Sequence, residues 1–370
     1  MKNKLKVLMV VFNLSIANGV SSYVMNYYRS LNHGKISMDF ALYQDVDSPY
    51  YDEIRQHGDD IFLIPPIKNI SRHMQESRKI IEQGKYDIIH DNILILSYFL
   101  MYYAKKMGVP VRILHSHNGK LGETKYKEVR NALTMPMLRN LATDYFACST
   151  LAARSMFGNR KFTFIPNVVN ADIFQFASKT RNAVRKQMQV DKQQVIVSVG
   201  RLSYQKNPFY AIDVICELYK QRNDICYWWI GNGPLEDKVR EYIHQKDAEG
   251  FIKLLGRQNN VIDFYQAADL FFLPSCFEGL PVTGVEAQAM GLPCVVSDTI
   301  TKEFVFTDLV RFFSLQSNPR QIAGLINEIL NQNNPRSDKR ELLLSSCFAD
   351  QNSGAFLFNL YKEILKERSN

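Results

Sequence analysis

The sequence predicts an α/β protein built from two doubly wound parallel sheets, one per domain, facing each other. Three observations lead there. Short apolar runs rich in β-branched and aromatic residues recur between helix-length amphipathic segments. In the first half they are LKVLMVVF, MDFALY, DIIH, VRILH, DYFAC and FTFIP; in the second, QVIVSVG, CYWWIG, IKLLG, DLFFLPS and PCVVS. Strands that are apolar almost throughout must be covered on both faces, which is the condition of a parallel sheet wrapped by helices. The pattern then begins afresh at Val195, after the charged segment Ser178–Gln194. The linker is expected there, between domains spanning 1–180 and 181–350. Finally, 370 residues with 46% apolar content suffice for two separate cores.

Each element follows from its local pattern. The start, MKNKLKVLMVVFNLS, places lysines before an apolar run as a secretory leader would. That run, Val7 to Phe12, is six residues long, too short for such a core, and reads as the first buried strand. The tract Ile93 to Ala104, ILILSYFLMYYA, contains a serine and is too short to cross a bilayer. The last segment, FLFNLYKEILKERSN, sets Leu357, Leu360, Tyr361 and Ile364 on one helical stripe, and 351–370 is expected to pack back on the first domain. The six cysteines show no CxxC pair and have no histidine cluster beside them, so buried thiols in a reducing cytoplasm are expected.

Charge is uneven. The net +8 falls in residues 1–180, with 23 basic against 15 acidic, and the rest of the chain balances. Within 101–161 there are 11 basic and 3 acidic residues beside the aromatic SYFLMYYAKK. That suits an anionic membrane surface or a lipid phosphate; a plainly solvated basic face explains it equally well. No nucleic-acid-binding signature accompanies it, and nucleic acid is not expected as a partner.

In doubly wound sheets ligands bind beyond the carboxyl ends of strands, so the loops there carry the chemistry. After DLFFLPS comes CFEGLPVTGVEAQAMGLP. Pro281 suits the first helical position, and Gly291 the cap. Glu278 then lies in the loop and Glu286 about five residues into the helix, roughly 7–8 Å along its axis. The free N–H groups of a helix start seat a phosphate, and the two carboxylates can accept from sugar and ribose hydroxyls. After QVIVSVG, the loop RLSYQKNP brings Arg201 and Lys206, which can grip a diphosphate from two directions. After CYWWI, Gly231 and Gly233 let the chain turn before a helix expected from Pro234. Taken singly, these features are also explained by a capped helix, a basic surface loop and a structural turn.

Together VGRLSYQKN, IGNGPLEDKV, LLGRQNNV and ADLFFLPSCFEGLPVTGVEAQAMGLPCVVSD resemble the nucleotide-sugar domain of retaining glycosyltransferases of family 4, with the GT-B fold of two Rossmann-like domains across a cleft. NGVSSYVMNYYRSL, GVPVRILHSHN and FIPNVVNADIF extend the resemblance over nearly the whole chain, closest to bacterial enzymes of exopolysaccharide and capsule assembly. The resemblance implies that Arg201 and Lys206 bind the donor diphosphate, Glu278 the sugar hydroxyls and Glu286 the ribose. Backbone around Gly279, Leu280 and Pro281 would meet sugar or phosphate, and Asn259 and Val261 the base. Gly231 and Gly233 would line the donor site, and Gly19, in the loop after the first strand, would approach the donor phosphate. The family's catalytic-centre histidine matches His115 or His117; His117, further out along the strand, is taken. His90 is expected to be structural. The turn FIPNVVNADIF departs from many relatives, with Asn170 where they carry Asp.

Breaking an anomeric carbon–phosphate bond develops charge on the diphosphate. The one Asp-x-Asp, Asp45 to Asp47, falls in an expected turn with no second acidic cluster. Arg201, Lys206 and the helix start would serve instead, so no metal and no cofactor is expected. The resemblance implies a retaining hexosyltransferase using a UDP-sugar and a glycan or lipid-linked glycan acceptor, working in the cytoplasm at the inner membrane face. A catalytically silent partner subunit and a sugar-nucleotide epimerase are the alternatives.

Overall fold

The computed structural model describes residues 4–16, 18–122, 124–332 and 335–369; of the basic start, Lys2 lies outside them. It divides into two units, 1–168 with 350–370, and 169–349.

In the first unit seven parallel strands form one sheet: β1 (Leu5–Val11), β2 (Ile36–Leu42), β3 (Ile61–Leu63), β4 (Ile88–Asp91), β5 (Val111–Ser116), β6 (Asp144–Ala147) and β7 (Thr163–Phe164). Their spatial order is β3-β2-β1-β4-β5-β6-β7, with Val7 beside Ile88 where the order reverses. At such a reversal the following loops diverge to opposite faces and leave a crevice beyond the carboxyl ends. Residues Val7 to Val11 are fully buried, while Phe12 is 42% exposed, so the strand ends one residue before the apolar run does. The helix Ser353–Ser369 sends Leu357, Tyr361 and Ile364 into this unit's core, and Arg368 Nη2 donates to the Thr143 carbonyl at 2.9 Å.

The second unit holds β8 (Gln194–Val199), β9 (Ile225–Ile230), β10 (Ile252–Gly256), β11 (Leu270–Leu273), β12 (Cys294–Ser297) and β13 (Val310–Phe313). All are parallel, in the order β10-β9-β8-β11-β12-β13, and the reversal lies between β8 and β11. Tyr227, Trp228 and Trp229 are buried in β9.

Several expectations change here. The segment read as a linker contains the helix Ser178–Gln187. Arg185 Nη1 donates to the Ala267 carbonyl at 2.7 Å and to Asp269 Oδ2 at 3.0 Å, and Arg181 also bonds Asp269. The charges that suggested solvent are clamps onto the sheet. Two strands carried no expectation, β3 and β13. Both sit at sheet edges and are partly exposed, so neither needs a continuous apolar run. Pro281 is the N-cap of the helix Val282–Ala289 rather than its first residue, the helix after Gly233 opens at Glu236, and Gly19 is the first residue of the helix Gly19–Arg29 rather than a loop residue. None of the six cysteines is in a disulfide; Cys148, Cys226 and Cys294 are buried, Cys216 and Cys276 are half-buried, and Cys347 is exposed. The tract Ile93 to Ala104 folds as a 3-10 turn and the helix Tyr98–Lys106, and among the described residues no helix is long and apolar enough to cross a membrane.

Candidate functional site

In the second unit the loops after β8 and β11 leave neighbouring strands on the same edge of the sheet. Lys206 comes from the first loop and Glu278 from the second, and Lys206 Nζ lies 2.6 Å from Glu278 Oε1. Their side chains are 15% and 9% exposed, so water screens this pair far less than a surface pair. Gln205 Nε2 donates to Glu278 Oε2 at 3.1 Å and to the Phe277 carbonyl at 3.1 Å, while Cys276 N donates to the Gln205 carbonyl at 2.7 Å. One loop thus grips the other through backbone, amide and ammonium. Below it, Ser297 Oγ and Thr299 Oγ1 both donate to the Ser275 carbonyl, at 2.5 and 2.9 Å.

Glycines let these loops lie this close. Gly200, at φ +155°, passes under the stem of Lys206, and an added Cβ would stand 2.8 Å from its Cε. At Gly231, φ +128°, a Cβ would meet the Gly200 carbonyl oxygen at 2.3 Å, so only glycine fits. Gly233 lies equally close to the backbone of Leu202. Arg201 is exposed at the end of β8.

Glu286, one turn into its helix, accepts from the Tyr265 hydroxyl at 3.0 Å. Burial pushes its carboxyl up to about 7, against the pull of the Tyr265 hydrogen bond and the Lys206 charge. Val261 opens the helix Val261–Ala267, which carries Tyr265, and Asn259 lies in the loop from β10. Gly279, Leu280 and Pro281 are buried between the two glutamates. The arrangement offers a fixed cation and two carboxylates of different character, suited to a polyhydroxylated anion.

The first unit has its own cluster at the ends of β4 and β5. His115 is fully buried; its Nδ1 lies 2.9 Å from His90 Nε2 and 3.3 Å from the Tyr23 hydroxyl. His90 Nδ1 in turn lies 2.6 Å from the Tyr361 hydroxyl. His117 stacks on His115 with ring centroids 4.0 Å apart and is half-buried, with its Nε2 2.8 Å from Asn92 Oδ1. The Asn92 amide nitrogen donates to the Val10 carbonyl at 3.1 Å, so its oxygen must face His117 and the proton sits on His117 Nε2. That leaves Nδ1 as the ring's acceptor. Burial drives His90 and His117 down to about 3, and His115 well below its ordinary value, so all three are neutral near pH 7. Gly19, capped by Asn18, has open space where a Cβ would stand. Asp45 accepts from the Tyr51 hydroxyl at 3.0 Å, and Asn170 Oδ1 accepts from the Asp172 and Ile173 amides at 2.9 and 3.0 Å, which accounts for its turn structurally.

Sequence reasoning passed over Gln205, Tyr265 and Asn92. Each is neutral, and each acts on a charged or catalytic candidate far along the chain. Only Gln205, inside the RLSYQKN loop, carried any signal.

Comparison with known proteins adds family evidence to this geometry. Residues 180–341 match the family described as Glycosyl transferases group 1. The chain is 28% identical over 362 residues to EpsF of Bacillus subtilis (strain 168), spanning 93% of each chain. It is 27% identical over 255 residues, 64% of this chain and 66% of the other, to the UDP-Gal:alpha-D-GlcNAc-diphosphoundecaprenol alpha-1,3-galactosyltransferase of Escherichia coli. Among solved structures, HepE of Anabaena in complex with UDP superposes with a TM-score of 0.78 over 97% of this chain and 100% of its own, at 15% identity.

Proposed function

We propose that this chain, whose residues 180–341 match the glycosyl transferases group 1 family and whose fold resembles that of HepE, moves a hexose from a UDP-sugar to a glycan or lipid-linked glycan acceptor, retaining anomeric configuration and needing no metal. The observation that carries this reading is Lys206 Nζ held 2.6 Å from Glu278 Oε1 at the reversal of the second sheet. The E. coli relative, named for a diphosphoundecaprenol acceptor, supports a lipid-linked one, and the UDP complex of HepE supports the donor.

The residues divide the work. Lys206 and Arg201 meet the diphosphate, whose charge grows as the anomeric carbon–oxygen bond breaks. Because the Lys206 ammonium is already fixed by Glu278, little reorganisation is needed when that charge appears. The remaining lone pairs of Glu278 accept from hydroxyls of the transferred sugar, and Glu286 accepts from the ribose diol. The base lies toward Asn259 and Val261, the diphosphate beside Gly231 and Gly233, and backbone at Gly279, Leu280 and Pro281 closes around sugar and phosphate. In the first unit Gly19 admits the donor phosphate closely, and His117 Nδ1 accepts from the sugar. The acceptor hydroxyl attacks on the face the phosphate leaves, forms the new glycosidic bond, and passes its proton to the departing phosphate oxygen. The enzyme works at the cytoplasmic face of the membrane.

A thermal-shift screen against UDP- and GDP-sugars tests the donor, since a ligand that binds only the folded chain raises its melting temperature. A UDP-sugar should raise it and a GDP-sugar should not. The same turnover with and without a chelator tests metal independence, and the anomer of the product tests retention. No donor consumption with any lipid extract would remove the transferase reading in favour of a silent partner subunit.

A further inference from the structure

The helix Lys125–Arg139 buries one face and bares an apolar one. Met135 and Leu138 are buried, with Glu128 and Asn131 half-buried beside them. Successive residues advance about 100° around a helix, so Tyr126, Leu133 and Met137 fall within about 40° of one another on the opposite side, with Val129 next to them. Their exposures are 77%, 73%, 55% and 61% for Tyr126, Leu133, Met137 and Val129. Single exposed apolar residues are ordinary on a surface. Four on one helical stripe, each more than half bare, are not a packing feature of this unit. The 3-10 turn Leu94–Ser97 packs against the helix and adds exposed Leu96. Lys125 lies on one margin of the stripe, Arg130 and Lys127 on the other, all exposed.

We propose that this helix docks on an anionic lipid surface, laying Tyr126, Val129, Leu133 and Met137 into the bilayer interface while Lys125, Lys127 and Arg130 meet lipid phosphates. An apolar stripe between basic margins is the pattern of a helix lying in an interface. A second copy of the chain fits less well, because a two-fold contact stripe to stripe would set these cations against their own copies. The surrounding segment 101–161, with 11 basic and 3 acidic residues, favours an anionic occupant for the same reason. The helix begins eight residues after His117. Docking would therefore bring the rim of the first unit's candidate site to the depth of a lipid-linked acceptor's head, and this purpose rests on the function proposed above.

Vesicle co-sedimentation of the full chain tests the docking without any donor, so its failure is separable from failure of the transferase reading. The chain should pellet with phosphatidylcholine–phosphatidylglycerol vesicles, not with phosphatidylcholine alone, and less as salt rises. Joint Leu133→Glu and Met137→Glu substitution should weaken partitioning at least about tenfold, and Lys127→Ala about fivefold, the order expected for one basic residue near an anionic surface. Should the double variant misfold, Leu133→Trp gives a second reading: its emission should shift to the blue only with the anionic vesicles. Wild-type chain that ignores those vesicles, or a folded double variant that pellets equally well, overturns the proposal. So does a Leu133→Glu change that merely splits a dimer in sedimentation velocity.

Discussion

At the scale of single residues, Lys206 and Glu278 each hold the other in place, and removing either should disturb more than one contact. Glu278→Ala leaves the Lys206 ammonium shielded and unpaired; Lys206→Ala removes the cation proposed to face the leaving group. Each is expected to lower sugar transfer by about 10²–10³-fold, the range for losing one preorganised charge-stabilising donor. Glu286 brings a pH signature. With its carboxyl near 7, it is ionised above that pH and, in the proposed role, free to accept from both ribose hydroxyls, and below it the proton removes one acceptor. Donor KM should therefore rise as pH falls through about 7, and Glu286→Gln should flatten that profile while His117, neutral throughout, adds no inflection near 6.5. An unchanged profile in Glu286→Gln would contradict the assignment. Lys206 and Glu278 stood out in the sequence because they sit in loops directly after apolar strands, and Glu286 because it lies one turn into the helix that follows. Gln205 was not singled out, since its partner Glu278 lies 73 residues away and nothing in an amide marks which carboxylate it serves. Tyr265 and Asn92 escaped for the same reason.

At the scale of elements, tight loop packing and one terminal helix carry the most testable load. Gly231→Ala combines a strained backbone with a 2.3 Å approach to the Gly200 carbonyl. It is expected to cost about 1–3 kcal/mol and to blunt donor binding, because Gly200 and Lys206 must shift with it. Chemical denaturation and donor titration of the variant check both. In the helix Ser353–Ser369, Tyr361→Phe leaves Nδ1 of the buried His90 without its hydroxyl partner and should cost about 1–3 kcal/mol. Strands that are buried on both faces declared themselves by unbroken apolar runs. The edge strands β3 and β13, short and half-exposed, had no such run. The helix Ser178–Gln187 was misread as a linker because Arg181 and Arg185 look like solvent-facing charge until Asp269 and the carbonyls before it are brought beside them.

At the scale of the whole chain, both units follow one construction. Each has a parallel sheet whose strand order reverses once, and each sets a polar cluster at the carboxyl ends of strands at or beside that reversal. The repeating alternation of apolar strand and helix made this architecture readable from sequence, and the return of the chain to the first unit at Asp350 rests on the Tyr361 and Leu357 contacts, two residues of the apolar stripe that led 351–370 to be expected there. In the proposed reaction a pyrophosphate leaving group is stabilised by Lys206, preorganised on Glu278. The most direct measurement is single-turnover transfer from a UDP-sugar to a lipid-linked acceptor, in the presence of chelator, by wild type and by folded Lys206→Ala. Transfer by the wild type with a loss of about 10²-fold or more in the variant is the expected result; transfer that survives Lys206→Ala undiminished, or that stops when metal is removed, would contradict it.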